Sequence, residues 1–213
     1  MLEQKLIVDR FIVMTFNNAA PPPGAAGSFA TMPVQDFYLQ ESTGVFSKTS
    51  TVQAGTGPKA HRKFKWLPWV SGRISEVALV GTDVLTGPMS GCWLVTYKKA
   101  NGVPHAGHLG TDIANVAGTT AVNTTWNNFA VARPGDVIGG FNPLRHWNGA
   151  IPTARGDDQT NPRFFGLFTT GNQFHIVVAF QQKANQSKLR IAGIQPAASS
   201  TLARLQQVHT AGA

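Results

Sequence analysis

Trp93-Leu94-Val95-Thr96-Tyr97, then Lys98-Lys99-Ala100-Asn101-Gly102-Val103, then Pro104-His105-Ala106-Gly107-His108-Leu109-Gly110-Thr111: this stretch spells a β-hairpin. The first segment is apolar, aromatic and β-branched, the composition that suits a pleated, buried surface. The second carries Asn101-Gly102, the step that most readily supplies the positive φ angles of a tight hairpin turn. The third returns as a second strand. On either side the chain continues in the same idiom, with strand candidates of four to nine residues at 34–39, 43–48, 64–67, 73–80, 92–98, 105–112, 136–141, 163–170, 174–182 and 188–194. Phe174-His175-Ile176-Val177-Val178-Ala179-Phe180 is nearly continuously apolar, as expected of a strand buried on both faces.

Helical signals are few. Residues 5–16 split into an ambiguous first half and a strand-like second half. Residues 119–132 predict a helix: Thr119 or Thr120 serves as cap, Val122, Trp126 and Phe129 fall on one face, and Pro134-Gly135 stops it. Residues 200–208 predict a short closing helix. Residues 17–31, with Pro21-Pro22-Pro23-Gly24, read as a loop, because three prolines fix φ and remove donors. About 16 residues precede that loop, too few for a core of their own, so it is no domain linker. The expectation is a β-rich α/β fold over residues 1–213, a sandwich of two mixed β-sheets with one or two flanking helices in a single domain.

The 213 residues are 42% hydrophobic and 13% charged, with 22 glycines, 13 prolines and a formal net charge of +8. A basic chain suits nucleic acid, an anionic membrane or an acidic protein surface. The cations are scattered apart from His61-Arg62-Lys63-Phe64-Lys65 and Lys98-Lys99, and no nucleic-acid module is recognisable, so direct nucleic-acid binding is not expected. No apolar run reaches the roughly 18 residues of a membrane span. Met1-Leu2-Glu3-Gln4-Lys5 lacks a signal-peptide pattern. One cysteine excludes an intramolecular disulfide and a Cys-rich zinc site. His146, His175 and His209 lack metal-ligand spacing, so neither metal nor cofactor is expected.

That one cysteine, Cys92, sits where the segment Leu85-Thr86-Gly87-Pro88-Met89-Ser90-Gly91 enters the hairpin's first strand. Thr86–Gly91 reads as a small, turn-prone loop. A loop entering a strand leaves backbone N–H groups outside the ladder, here those of Gly91 and Cys92, where they can hold an oxyanion. His108 follows Cys92 by sixteen residues, and pairing the two directly centres the turn at residue 100, beside the Asn-Gly step. His105 requires a turn between the two lysines and remains an alternative base. A histidine that takes the thiol proton activates the sulfur, and Thr86, six residues before Cys92, has a hydroxyl able to fix the imidazole ring. The plainer reading treats Cys92 as a small buried hydrophobe. Asp112 orients a histidine or merely caps a strand end, the latter preferred. Arg155-Gly156-Asp157-Asp158 reads as a solvated turn.

Met89-Ser90-Gly91-Cys92, a strand, a basic turn and His108-Leu109-Gly110-Thr111 together resemble the catalytic hairpin of the cytotoxic necrotizing factor deamidases. Trp66-Leu67-Pro68-Trp69 and the Thr86 spacing resemble the Burkholderia lethal factor-like branch of the same superfamily. The resemblance covers residues 64–130. It implies a cofactor-free protein-glutamine deamidase acting on a folded host protein, a Rho-type GTPase or a translation-initiation RNA helicase. It implies a Cys92–His108–Thr86 triad and places Trp66 and Trp69 near the catalytic hairpin, as candidate substrate wall. It further implies a toxin delivered to a host cytosol by secretion or injection, and a monomer is expected. Met89, Pro88 and Gly87 depart from the family pattern at the mouth of the site. Two other readings stay open: a thiol peptidase or amidase on the same hairpin, and a non-enzymatic basic β-rich binding module with an inert Cys92.

Overall fold

The computed structural model describes residues 2–14, 20–43, 48–55 and 63–209, with the side chains of 42, 43 and 48 left aside. The chain opens with a 3₁₀ turn, Leu2–Gln4. Then come β1 (Phe11–Val13), β2 (Phe29–Thr31), β3 (Asp36–Thr43), β4 (Lys48–Ala54), β5 (Lys63–Leu67), β6 (Ile74–Ala78), β7 (Asp83–Met89), β8 (Leu94–Lys98) and β9 (Pro104–Leu109). The second half holds α1 (Val116–Ala132), β10 (Val137–Phe141), α2 (Pro143–His146), β11 (Arg163–Phe168), β12 (Phe174–Gln181), β13 (Lys188–Ala197) and α3 (Leu202–Leu205).

The fold is β-rich and has two mixed sheets, but it is not a plain sandwich. One sheet closes on itself as an eight-stranded barrel, in the order β1-β13-β12-β11-β7-β5-β3-β4, and the other is a five-stranded sheet, β10-β8-β9-β6-β2. Closure removes the unpaired edges that an open sheet would present. The short β1 achieves it, pairing antiparallel with β13 and parallel with β4.

Alternation along the strands sorts side chains into three apolar layers. Phe64, Trp66, Leu85, Phe165, Leu167 and Val177 belong to one cluster with the interior-facing residues of β3, β4 and β13. Leu67, Val84, Met89, Cys92, Leu94, Ala106, Phe141 and Phe164 form the layer between barrel and open sheet. Trp93, Val95, Tyr97 and Leu109 face the other way, against Val122, Trp126 and Ala130 of α1. Trp126 is fully buried and its indole N–H donates to the Leu205 carbonyl at 2.8 Å, tying α1 to α3. Burial of so large a ring contributes on the order of 3 kcal/mol.

The helix predicted from 119 begins earlier, at Val116. Its cap is Asn115, whose side chain accepts from the Gly118 N–H, while the Thr119 hydroxyl donates to the Asp112 carbonyl and accepts from its N–H. Residues Phe29–Thr31, read as loop, are the edge strand of the open sheet. The strand predicted at 43–48 lies partly outside the described residues (44–47), as do residues 15–19 of the N-terminal strand and loop and His61-Arg62 of the basic run. Within that run Lys65 is not a free cation: its ammonium donates to the carbonyls of Ala78 and Val80 at 2.9 and 3.0 Å.

Asp158 is not solvated. It is buried and accepts from the Arg190 guanidinium and from the Arg155 N–H; burial pushes its carboxyl up, but the hydrogen bonds from Arg190, Arg155 and Gln182 together with the Arg190 charge hold it below the usual carboxylate range. Arg190 also reaches Asp9 at 3.1 Å and packs over the Phe180 ring. This cluster clamps the 150s loop to the strands that close the barrel. No helix among the described residues is long and apolar enough to cross a membrane.

Candidate active site

Segment Thr86–Gly91, read as a loop, is mostly strand. Turn-type residues occur inside β7 because the strand carries a bulge against β11. Phe164 pairs with Met89 and Gly166 with Thr86, so Gly87 and Pro88 together oppose Phe165. Gly87 has φ +145°, and a Cβ there would lie 2.6 Å from the Phe165 ring. The bulge turns the chain out of the barrel toward Ser90-Gly91-Cys92, and β8 enters the open sheet at Leu94. Cys92 is therefore carried on the link between the two sheets.

The hairpin β8–β9 forms as its sequence predicts, with Lys99–Gly102 as the turn. Its register differs from the expected one. His108 pairs with Leu94, not with Cys92, which moves the turn centre to Asn101. Cys92 is thus a diagonal neighbour of His108 across the two strands. The offset of two residues keeps both side chains on the face that looks toward the barrel. His105 differs from His108 by an odd number and faces α1: its Nδ1 lies 3.0 Å from the Val103 carbonyl and its ring packs 6.1 Å from Tyr97. The fold sets His105 on the far side of the sheet from the sulfur.

Thr86, on the outward face of β7, meets His108 from the barrel side. Oγ1 and Nδ1 are 2.7 Å apart and both residues are fully buried. The other ring nitrogen, Nε2, is buried without a hydrogen-bond partner among the described residues. Burial pushes the His108 imidazole down to about 3, so the ring is neutral at physiological pH. Burial likewise pushes the Cys92 thiol up, against opposing hydrogen bonds from Thr111. The resting pair is therefore neutral thiol and neutral imidazole, and no hydrogen bond joins the two. The sulfur is bonded instead to Thr111, with Sγ 3.5 Å from its carbonyl oxygen and 3.4 Å from its hydroxyl.

Cys92 is 5% exposed, and it lines the floor of an open cleft of about 250 Å³. The walls are Trp69 and Pro88 to Gly91 on one side and Thr111, Asp112 and Ile113 on the other. The N–H groups of Gly91 and Cys92 have no hydrogen-bond partner among the described residues, as an oxyanion site requires. Trp69, half-exposed, donates its indole N–H to the Thr111 carbonyl at 3.4 Å. Trp66 is not part of the wall: it packs at 3% exposure among the barrel residues. Asp112 does not touch His108. Its carboxylate accepts from the Ser71 hydroxyl and the Ala114 N–H, so it braces the cleft loop.

Asn142 is a site residue that the sequence reading missed. Fully buried, it donates from Nδ2 to the Gly91 carbonyl at 2.8 Å, while Oδ1 caps α2 by accepting from the Arg145 N–H. The available signal was Asn142-Pro143, a cap residue followed by proline at the first helical position. His146, one turn on, is held between Asn142 and the Ser200 hydroxyl. Among the described residues no group of three His, Cys, Asp or Glu side chains is placed to hold a metal ion.

No protein-family model matches the chain, and neither a curated protein nor a solved structure matches it.

Proposed function

We propose that the chain is a protein-glutamine deamidase in which Cys92 is the nucleophile, His108 the base and Thr86 the group that orients the ring. The observation that carries this reading is His108. One nitrogen is fixed by Thr86, while the other is buried and unpartnered among the described residues, on a side chain that shares its sheet face with the only thiol in the chain. A buried polar atom without a partner costs roughly 1–3 kcal/mol, a cost that function explains better than packing does. Hydrogen bonds between catalytic groups are commonly long in the free enzyme and tighten when substrate binds.

With the ring proton on Nδ1 and donated to Thr86, the Nε2 lone pair accepts the Cys92 proton as the sulfur attacks the side-chain amide carbon of a glutamine. The carbonyl π pair moves to oxygen, held by the N–H groups of Gly91 and Cys92. His108 then gives its proton to the departing nitrogen, the C–N bond breaks, and ammonia leaves a thioester on Cys92. Water loses a proton to Nε2, attacks the thioester, and its collapse returns the proton to sulfur and leaves glutamate. The open cleft admits a side chain presented on another protein's surface, in line with a host-protein target. The neutral resting pair makes proton transfer part of the attack, rather than a standing thiolate–imidazolium pair.

The test is mass spectrometry of host-cell lysate treated with wild type, Cys92→Ser and His105→Ala. Wild type and His105→Ala convert the same glutamine to glutamate and Cys92→Ser does not. Conversion by Cys92→Ser, or backbone cleavage in place of deamidation, would exclude the proposal.

A further inference from the structure

The site contains a contact that the triad does not use. Thr111 follows the last residues of β9, and its position is fixed on both sides. The Gly110 N–H donates to the Arg73 carbonyl at 2.9 Å, and the Gly110 carbonyl accepts from the Gly72 N–H at 2.7 Å. Trp69 binds the Thr111 carbonyl from the cleft side. Onto this fixed residue the sulfur makes two contacts of opposite sense: the thiol donates to the carbonyl, and the hydroxyl donates to the sulfur. His108 Nε2 meanwhile has no partner. The thiol proton is committed to a carbonyl that cannot take it, while the nitrogen that can take it waits unbonded.

We propose that Thr111 is a positioning residue for Cys92: its carbonyl parks the thiol proton in the resting protein, and its hydroxyl holds the sulfur when that proton passes to His108. In that step the S–H bond breaks, the proton forms a bond to Nε2, and the electron pair stays on sulfur, where the Thr111 O–H donates to it. A hydroxyl donor matters here because Cys92 is only 5% exposed, so a thiolate there gains little solvation from the cleft. The inference deepens the reading of Cys92 as nucleophile and rests on it.

Cys92 is the only cysteine, so alkylation by iodoacetamide reports on it alone. The rate is followed against pH for wild type, Thr111→Val and Thr111→Ser. Thr111→Val keeps the carbonyl and the shape but loses the donor: its profile moves to higher pH and its rate at pH 8 falls about tenfold. Thr111→Ser restores the wild-type profile. The infrared S–H stretch of the wild-type protein lies below that of an alkyl thiol in an apolar solvent, a readout that needs no variant. Superimposable Thr111→Val and wild-type profiles, a Thr111→Ser profile displaced as far as that of Thr111→Val, or a free-thiol S–H band overturns the role of Thr111. A wild-type Cys92 that stays unreactive at every pH until the protein is denatured overturns the nucleophile reading as well. A reactive Cys92 indifferent to Thr111 overturns only this inference.

Discussion

Replacing His108 by glutamine should flatten the acid limb of the protein's stability. In the unfolded chain a histidine takes up a proton below about pH 6.5. In the folded chain burial withholds that proton until about pH 3. Between those values the unfolded state binds more protons than the folded one, so stability falls as pH falls. Each pH unit costs about 1.4 kcal/mol, some 2.7 kcal/mol from pH 6.5 to 4.5 and about 5 kcal/mol across the whole window. Total stabilities of 5–15 kcal/mol are usual for folded domains, so this one ring should account for a large part of acid unfolding. Glutamine does not titrate, and its amide can still meet the Thr86 hydroxyl. Urea unfolding of wild type and His108→Gln at a series of pH values isolates the effect. Depressed groups common to both proteins, His175, Glu76 and Asp158 among them, cancel in the difference. A difference that stays flat with pH would mean that His108 titrates normally, and the picture of a dry, neutral base would fail.

Three further outcomes follow from the geometry. Thr86→Val removes the partner of Nδ1 and should cut glutamine deamidation about 10–100-fold, with Thr86→Ser close to wild type, read by ammonia release from a target identified in lysate. Asn142→Ala frees the Gly91 carbonyl and uncaps α2; urea unfolding should show a loss of roughly 1–3 kcal/mol, with activity falling as the oxyanion loop loosens. Gly110→Ala places a Cβ 1.8 Å from the Val70 carbonyl, so the exit of β9 must shift. At least about 1–3 kcal/mol of stability should be lost with the Thr111 contact to sulfur, measured by thermal melting and by Cys92 alkylation.

The hairpin was legible because Asn101-Gly102 sits between two apolar segments and leaves little choice of turn. Its register was not, because a shift of two residues keeps every side chain on its face and so leaves the hydrophobic pattern unchanged. Parity decided between the two histidines: His105 and His108 must face opposite ways, whatever the exact register. Strand β7 was hidden by Gly87 and Pro88, which mark a turn in sequence and a bulge in space. Trp66 and Trp69, three residues apart across Pro68, part company because the first still belongs to β5 and the barrel cluster while the second lies beyond the strand. Barrel closure was not readable at all. It depends on a three-residue β1 pairing with β4 and β13, and on β5 pairing with β7 across the excursion of β6 into the other sheet, and alternation in a single strand names no partner.

Nitrogen NMR of the His108 imidazole in the resting protein bears most closely on the proposed chemistry. The ring should be neutral at pH 7, with its proton on Nδ1 toward Thr86 and an unprotonated Nε2 available to the Cys92 thiol. A proton found on Nε2, with Nδ1 accepting from the Thr86 hydroxyl, would leave no lone pair for the thiol proton and would contradict His108 as the base.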